Sequence, residues 1–197
     1  MHDRWASYDT FACQHRLCKA HLIRDLTFLA EVHAQTWAAP LRELLLDMHA
    51  AAQQWYARGV ARLPDDERTT WQIHYFTLVE QGFAALPPTA PVPKRRGKPK
   101  QHPAKNLLDV LLRRADHILG FVEDTSEEFT NNRREHDIRM IKIHEKVSGG
   151  FRSEAGATAF CTVRSYVATL RKQGHRAFAA IRSIFRGTLI PVAWGWE

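Results

Sequence analysis

Apolar residues recur at helical spacing through almost the whole of this chain, and that period excludes a predominantly β architecture. From Lys19 onward Leu22, Leu26, Leu29 and Ala30 share one stripe, and the pattern predicts a first helix running to about Trp37, before Pro40 interrupts it. A second is expected over 41–57, through Leu41, Leu44, Leu45, Met48, Ala52 and Trp55, with Gly59 as its terminator. A third begins at Asp65 or Asp66, where acidic residues favour a helix start, and runs to Phe83. The period resumes over 104–123, again from Arg133 to about Glu145, and then over 155–172 and 177–185, with Gly149, Gly150, Gly174 and Gly187 as breaks. Only the first 18 residues or so and the stretch from Leu189 to Trp194 leave room for strands, and there is no internal repeat.

One segment departs from this pattern. Six of the nine prolines fall between Leu86 and Pro103, among Lys and Arg and with almost no apolar anchor. Such a composition reads as an exposed basic linker, either a solvated spacer or an arm that follows a DNA backbone. The chain as a whole carries 28 Lys and Arg against 21 Asp and Glu, a formal charge of +7, which favours a polyanionic partner such as nucleic acid. Its 197 residues, 45% of them hydrophobic, suffice for a real core. The longest apolar run, near Leu41 to Met48, is broken by Arg42, Glu43 and Asp47, so no membrane span is expected. Asp3, Arg4 and Trp5 stand where a signal peptide would need an apolar centre. A soluble, cytoplasmic protein is therefore expected, with its three cysteines reduced.

Among the residues that could carry chemistry, Glu135 stands out. It lies three residues after Asn132, the spacing of a capping box, so one reading is simply a helix start. The same spacing aims Glu135, Arg139 and Lys142 along one helical face, where a carboxylate beside two cations can hold a metal and a phosphate. The run Lys146-Val147-Ser148-Gly149-Gly150-Phe151-Arg152-Ser153 sets small residues between cations, which suits either a phosphate contact or a turn between helices. It lacks the Gly-Lys-Ser/Thr ending of a nucleotide-binding loop. Cys13, His15, Cys18 and His21 offer zinc-ligand atoms without paired C-x-x-C spacing, leaving open a local zinc site or buried thiols beside a helix start.

These segments resemble a known family. Asn131-Asn132 with Glu135, Ile138-Arg139-Met140 and Lys142, followed by Lys146-Val147-Ser148-Gly149 and Phe151-Arg152-Ser153, is similar to the carboxyl-terminal signature of the insertion sequence 66 transposase family. The likeness continues through Gly156-Ala157, Phe160-Cys161, Arg164-Ser165-Tyr166 and Arg171-Lys172-Gln173-Gly174. It extends backward to His2-Asp3-Arg4-Trp5 with Tyr8, and to Cys18-Lys19-Ala20-His21-Leu22 with Arg24 and Leu26. Residues 35 to 105 match mainly in helical character. Around the glutamate the family pattern has Ala and Arg, where this chain has Arg134 and His136.

The resemblance implies an RNase H-like catalytic core of the DDE type, in which two aspartates and a glutamate bind two Mg²⁺ or Mn²⁺ ions and cut and join DNA by in-line phosphoryl transfer. Asp3 would then be the second acid and Glu135 the third, both as metal ligands, with Arg139, Lys142, Lys146 and Arg152 near the DNA backbone. The family's first aspartate has no counterpart in residues 1–197, and the opening Met1 suggests a truncated or split reading frame. The expected fold is accordingly mainly α, with a partial RNase H-like α/β core lacking its first strands. Residues 1–34 would be the core remnant, 35–105 a helical insertion with its basic linker, and 106–197 the helices carrying Glu135 and the family tail. The expected partners are transposon-end DNA at the bacterial nucleoid and intact transposase or a second copy. Unaided, the chain is expected to be inactive. A non-enzymatic DNA-binding remnant and a helical interaction module stabilised by zinc on Cys13, Cys18 and His21 are the rival readings.

Overall fold

The helical period is realised almost everywhere, in a computed structural model that describes residues 1–87 and 101–193 apart from the side chains of residues 133, 134 and 137. Residues 88–100 of the proline-rich basic segment, and Trp194, lie outside the described residues. The chain forms two compact units, Met1–Asn131 and Asn132–Glu197.

In the first unit, α1 (Lys19–Glu31) buries the expected stripe of Leu22, Leu26 and Leu29. It stops sooner than its apolar pattern suggests, because Ala34 takes a left-handed backbone (φ 50°) and the Gln35 N–H turns back to the Leu29 carbonyl at 3.0 Å. Helix α2 (Ala38–Ala57) starts earlier than expected. Pro40 falls in its first turn, where a missing N–H leaves no hydrogen bond unmade, and so it belongs to the helix it was expected to precede. Helix α3 (Asp65–Ala84) opens on Asp65, Asp66 and Glu67, which oppose the positive end of the helix dipole. Helix α4 (Pro103–Arg113) begins on a proline, and the His102 ring accepts the Ala104 N–H at 3.2 Å.

The single helix expected over 104–123 is broken into three pieces: α4, α5 (Ala115–Ile118) and α6 (Gly120–Glu123). The backbone leaves the helical region at Arg114 (φ −120°, ψ 28°) and at Leu119 (φ −88°, ψ 9°). These breaks leave the His117 carbonyl available to the Leu17 N–H, which it accepts at 3.0 Å. Helix α2 is central, packing on α1, α3 and α6, while α4 packs on α3 and α1. The core between them runs from Leu17 to Val122 and includes Leu41, Leu45, Met48, Tyr75, Leu108 and Phe121. Tyr75 is fully buried and donates its hydroxyl hydrogen to the Leu111 carbonyl at 2.9 Å, so its polar atom is satisfied inside the core.

The α/β part of the expected fold is not present. Among the described residues there is no strand or sheet, only an isolated parallel bridge between His2 and Leu17, so the structure belongs to the helical class and an RNase H-like core remnant over 1–34 is not seen. The reason is local. Arg4 has φ 74°, which ends the extended run just past the bridge, and Ala6–Thr10 then coil into a 3-10 turn. On the other side of the bridge, the N–H groups of Leu17, Cys18 and Lys19 go to His117, His2 and Phe129 in turn. A ladder needs consecutive pairings with one neighbour, and here successive residues bond to three different places.

This wrapped segment is fastened by charge. Glu127 accepts from Arg16 Nε at 2.6 Å and from Lys19 Nζ, and Lys19 is fully buried with its ammonium 5.2 Å from the centre of the Phe121 ring. A side chain at Gly120 would run into Arg16 and Glu127, so this glycine is what allows α6 to approach the pair. Burial pushes the Lys19 pKa down, opposed by Glu127.

The second unit contains α7 (Asn132–Ser148), α8 (Glu154–Lys172) and α9 (Ala177–Phe185). Helices α8 and α9 pack through Val167, Leu170 and Ala180. The segment after α9 makes no strand among its described residues. It is tied down by side chains instead: the Tyr166 hydroxyl accepts the Ile190 N–H at 2.8 Å, and the Gln173 amide accepts from and donates to Ala193, at 3.3 and 2.6 Å.

Two outcomes follow for stability. Glu127→Ala strands a buried ammonium, so denaturant unfolding should show a loss of about 3–5 kcal/mol, and the paired change Lys19→Met with Glu127→Leu should recover most of it. His49, stacked on Phe129 with ring centres 4.1 Å apart, has its pKa lowered by burial and then by Lys19. The fold disfavours its protonated form, so the unfolded chain takes up the proton first, and the stabilisation present above about pH 6.5 is lost as pH falls below that value. Unfolding midpoints measured from pH 7.5 to 5 should decline, and His49→Gln should flatten the decline.

Candidate functional site

The extended run at the start of the chain places alternate residues on opposite sides. His2 is buried at 6% exposure, and Asp3 is exposed. The Asp3 carboxylate accepts the Trp5 N–H at 3.2 Å, and Arg4 is held by an ion pair to Asp25 of α1. Together Asp3, Arg4, Trp5 and Asp25 line one side of a cleft of roughly 690 Å³, whose other wall includes Gln101, Asn106 and Val110 around α4. Two carboxylates thus border one open cleft. Asp25 is already taken up by Arg4, so Asp3 is the carboxylate here that suits a hard divalent ion, which takes a few carboxylate oxygens and keeps its remaining positions for water and phosphate.

Glu135 lies in the first turn of α7, half-buried. The helix begins at Asn132 itself and continues to Ser148, beyond the expected end near Glu145. Arg139, Lys142 and Lys146 follow Glu135 at offsets of four, seven and eleven residues, hence along one helical face, and all three are exposed. Gly149 (φ 72°) and Gly150 (φ 99°) then reverse the chain in a conformation that side chains rarely adopt. The His144 ring stacks on Phe151 at 4.2 Å, and Phe160 of α8 packs against both, so the loop carrying exposed Arg152 is fixed between two helices. Ser153 closes it by capping α8, accepting the Gly156 N–H at 3.1 Å. The turn reading of Gly149-Gly150 is therefore correct, and it also presents Arg152. Asp3 belongs to the first unit and Glu135 to the second.

Cys13, Cys18 and His21 do not converge. Cys13 is exposed, Cys18 is buried with its sulfur accepting the Asn131 N–H at 3.4 Å, and all three cysteines are free. Among the described residues, the ligand-type side chains that do gather are His2, Asp9 and His15, whose donor atoms lie within 4.8 Å of one another. Burial and then the neighbouring His15 lower the His2 pKa, and hydrogen bonds from Arg114 hold the Asp9 carboxyl below its ordinary range. This gathering was missed in the sequence because it joins residues seven and thirteen positions apart across a 3-10 turn, a spacing that fits neither a helix face nor a strand. No helix is long and apolar enough to cross a membrane among the described residues.

No curated protein and no solved structure gives a significant match to this chain. The sequence of residues 1–159, which includes Asp3, the whole of the first unit and all of α7 with Glu135, matches the family described as Transposase IS66 family, and the chain belongs to that family.

Proposed function

We propose that this chain acts in DNA transposition by metal-dependent phosphoryl transfer, with Asp3 and Glu135 as two of the three carboxylates that hold the catalytic ions. The observation that carries this reading is the family match, which spans both acids and the cationic face that follows the second. Bound Mg²⁺ or Mn²⁺ would supply an activated water or 3′ hydroxyl and a stabilised leaving oxygen. The chain's own residues orient the strand. Asp3, at the rim of an open cleft, presents carboxylate oxygen toward solvent, and Arg139, Lys142, Lys146 and Arg152 contact the phosphate backbone. Transposon-end DNA is the substrate, encountered at the nucleoid, and an intact transposase or a second copy is the protein partner. With Asp3 and Glu135 as two of three acids, we expect residues 1–197 to cleave only when the third carboxylate is supplied by another polypeptide segment.

Nicking and strand-transfer assays on labelled transposon ends, with Mg²⁺ or Mn²⁺, test the catalytic part. The chain alone should be inert. Mixed with an intact family member whose own catalytic glutamate has been replaced, it should restore cleavage, and Glu135→Gln or Asp3→Asn should remove that rescue. Cleavage that persists in the Glu135→Gln protein would falsify the assignment.

Affinity for duplex DNA measured against salt tests the contact surface. Four phosphate contacts give a log–log slope of about −3.6, and each of Arg139→Ala, Lys142→Ala, Lys146→Ala and Arg152→Ala should make it shallower by about 0.9. A slope near zero would show that this face does not meet the backbone.

A further inference from the structure

None of His2, Asp9 and His15 lines the cleft at Asp3, and the proposed catalysis and DNA contact use none of them. His15 Nδ1 faces His2 Nε2 at 3.2 Å. Two nitrogens bound to one tetrahedral zinc at 2.0–2.1 Å are separated by about 3.3 Å, so the pair already stands at the edge length of a zinc tetrahedron. The other ring nitrogen of His15 meets the Phe11 carbonyl at 3.0 Å. A carbonyl only accepts, so the proton sits on Nε2 and Nδ1 presents its lone pair, the tautomer a metal ligand needs. A backbone carbonyl behind a ligating imidazole is the usual orienting partner of a metal-bound histidine.

His2 is almost fully buried; with His15 Nδ1 accepting, its Nε2 donates in the 3.2 Å contact, and a metal on Nε2 would take the place of that proton and leave the ring's proton on Nδ1, which has no hydrogen-bond partner among the described residues. Asp9 supplies the third donor, steadied by Arg114, whose Nη1 lies 3.1 Å from Oδ1 and whose Nη2 bonds Oδ2. That guanidinium offsets much of the carboxylate's charge. An ion that relies on carboxylate charge gains little here, whereas one bound through imidazole nitrogen gains most of its affinity from His2 and His15.

We infer that His2, His15 and Asp9 form a structural site for a late first-row divalent ion of the zinc type, with a water in the fourth position. It is distinct from any Mg²⁺ or Mn²⁺ held by Asp3. Its effect is to tie the start of the chain, through the 3-10 turn Ala6–Thr10, to the segment that enters α1. The zinc-stabilised reading considered from sequence named Cys13, Cys18 and His21; the geometry moves the ligands to a different set with no thiolate in it.

The probes are Co²⁺, whose tetrahedral complexes absorb in the visible, and Zn²⁺, used on residues 1–197 after chelator treatment. One equivalent of Co²⁺ should produce d–d bands without a sulfur charge-transfer band, and Zn²⁺ should displace it. His15→Gln and His2→Gln should each weaken Zn²⁺ binding by more than about tenfold, since even loss of an orienting partner costs 10- to 100-fold. Cys13→Ser, Cys18→Ser and Asp3→Asn should leave the spectrum unchanged. The chelated His15→Gln protein loses the ring's contacts to His2 and the Phe11 carbonyl and should melt somewhat below the chelated parent, but only the parent should gain stability on adding Zn²⁺. The inference fails if cobalt gives no visible bands, if the bands survive both histidine substitutions, or if they vanish in Cys18→Ser. This experiment reads no DNA chemistry, so its result stands whatever the transposition assays give.

Discussion

The first unit depends on a carboxylate that holds a buried ammonium. Glu127 comes from the loop after α6 and meets Arg16 and Lys19 from the segment that leads into α1, over a hundred residues earlier. In the low dielectric between Phe121 and α1, an ammonium without this partner is untenable, so the pair forces the two ends of the unit together. Backbone geometry adapts to that meeting. Helix α6 presents Gly120 where any side chain would strike the ion pair, the breaks at Arg114 and Leu119 leave the His117 carbonyl to the Leu17 N–H, and the loop after α6 brings the Phe129 carbonyl to the Lys19 N–H. Hydrogen bonds that a sheet would satisfy by repetition are satisfied here one at a time.

This explains which features were legible in the sequence. Helices α2, α3, α8 and α9 could be read because their buried residues follow the 3.6 period and their ends carry local signals: Asp65 and Asp66 at the start of α3, Gly59 after α2, Gly174 after α8. The errors occurred where tertiary contacts overruled the period. Residues 104–123 keep their apolar spacing, yet the fold breaks them to supply acceptors to Leu17, a demand invisible within the segment itself. Pro40 reads as an interruption and proves to be a first-turn residue, because proline is disfavoured only after the first turn. The expected strands at the start failed for a related reason: an extended residue becomes a strand only with a continuous neighbour, and Arg4 turns away after one bridge.

The site was legible to a different degree. Motif residues such as Asp3 and Glu135 stand out through family likeness, and the exposed cations Arg139, Lys142 and Lys146 follow from helical spacing once α7 is granted. Arg152 needed the structure, since its presentation depends on the His144, Phe151 and Phe160 stack that fixes the loop. Spacing alone could not separate Glu135 as a capping residue from Glu135 as a ligand, because both readings place a carboxylate in the first turn of the same helix. The two roles also share one electrostatic cause: the positive end of a helix favours an anion whether it caps the backbone or awaits a cation.

His2 and Asp3 show how the two halves of the amino-terminal segment constrain each other. Adjacent residues in an extended backbone point to opposite sides, so the burial of His2 against His15 is what turns the Asp3 carboxylate outward to the cleft. The left-handed turn at Arg4 and its ion pair to Asp25 then stop the segment from continuing along α1. A rotation that exposed His2 would carry Asp3 inward, away from solvent and from any phosphate. The orientation of Asp3 at the cleft is therefore set from behind, by the packing of the His2 imidazole.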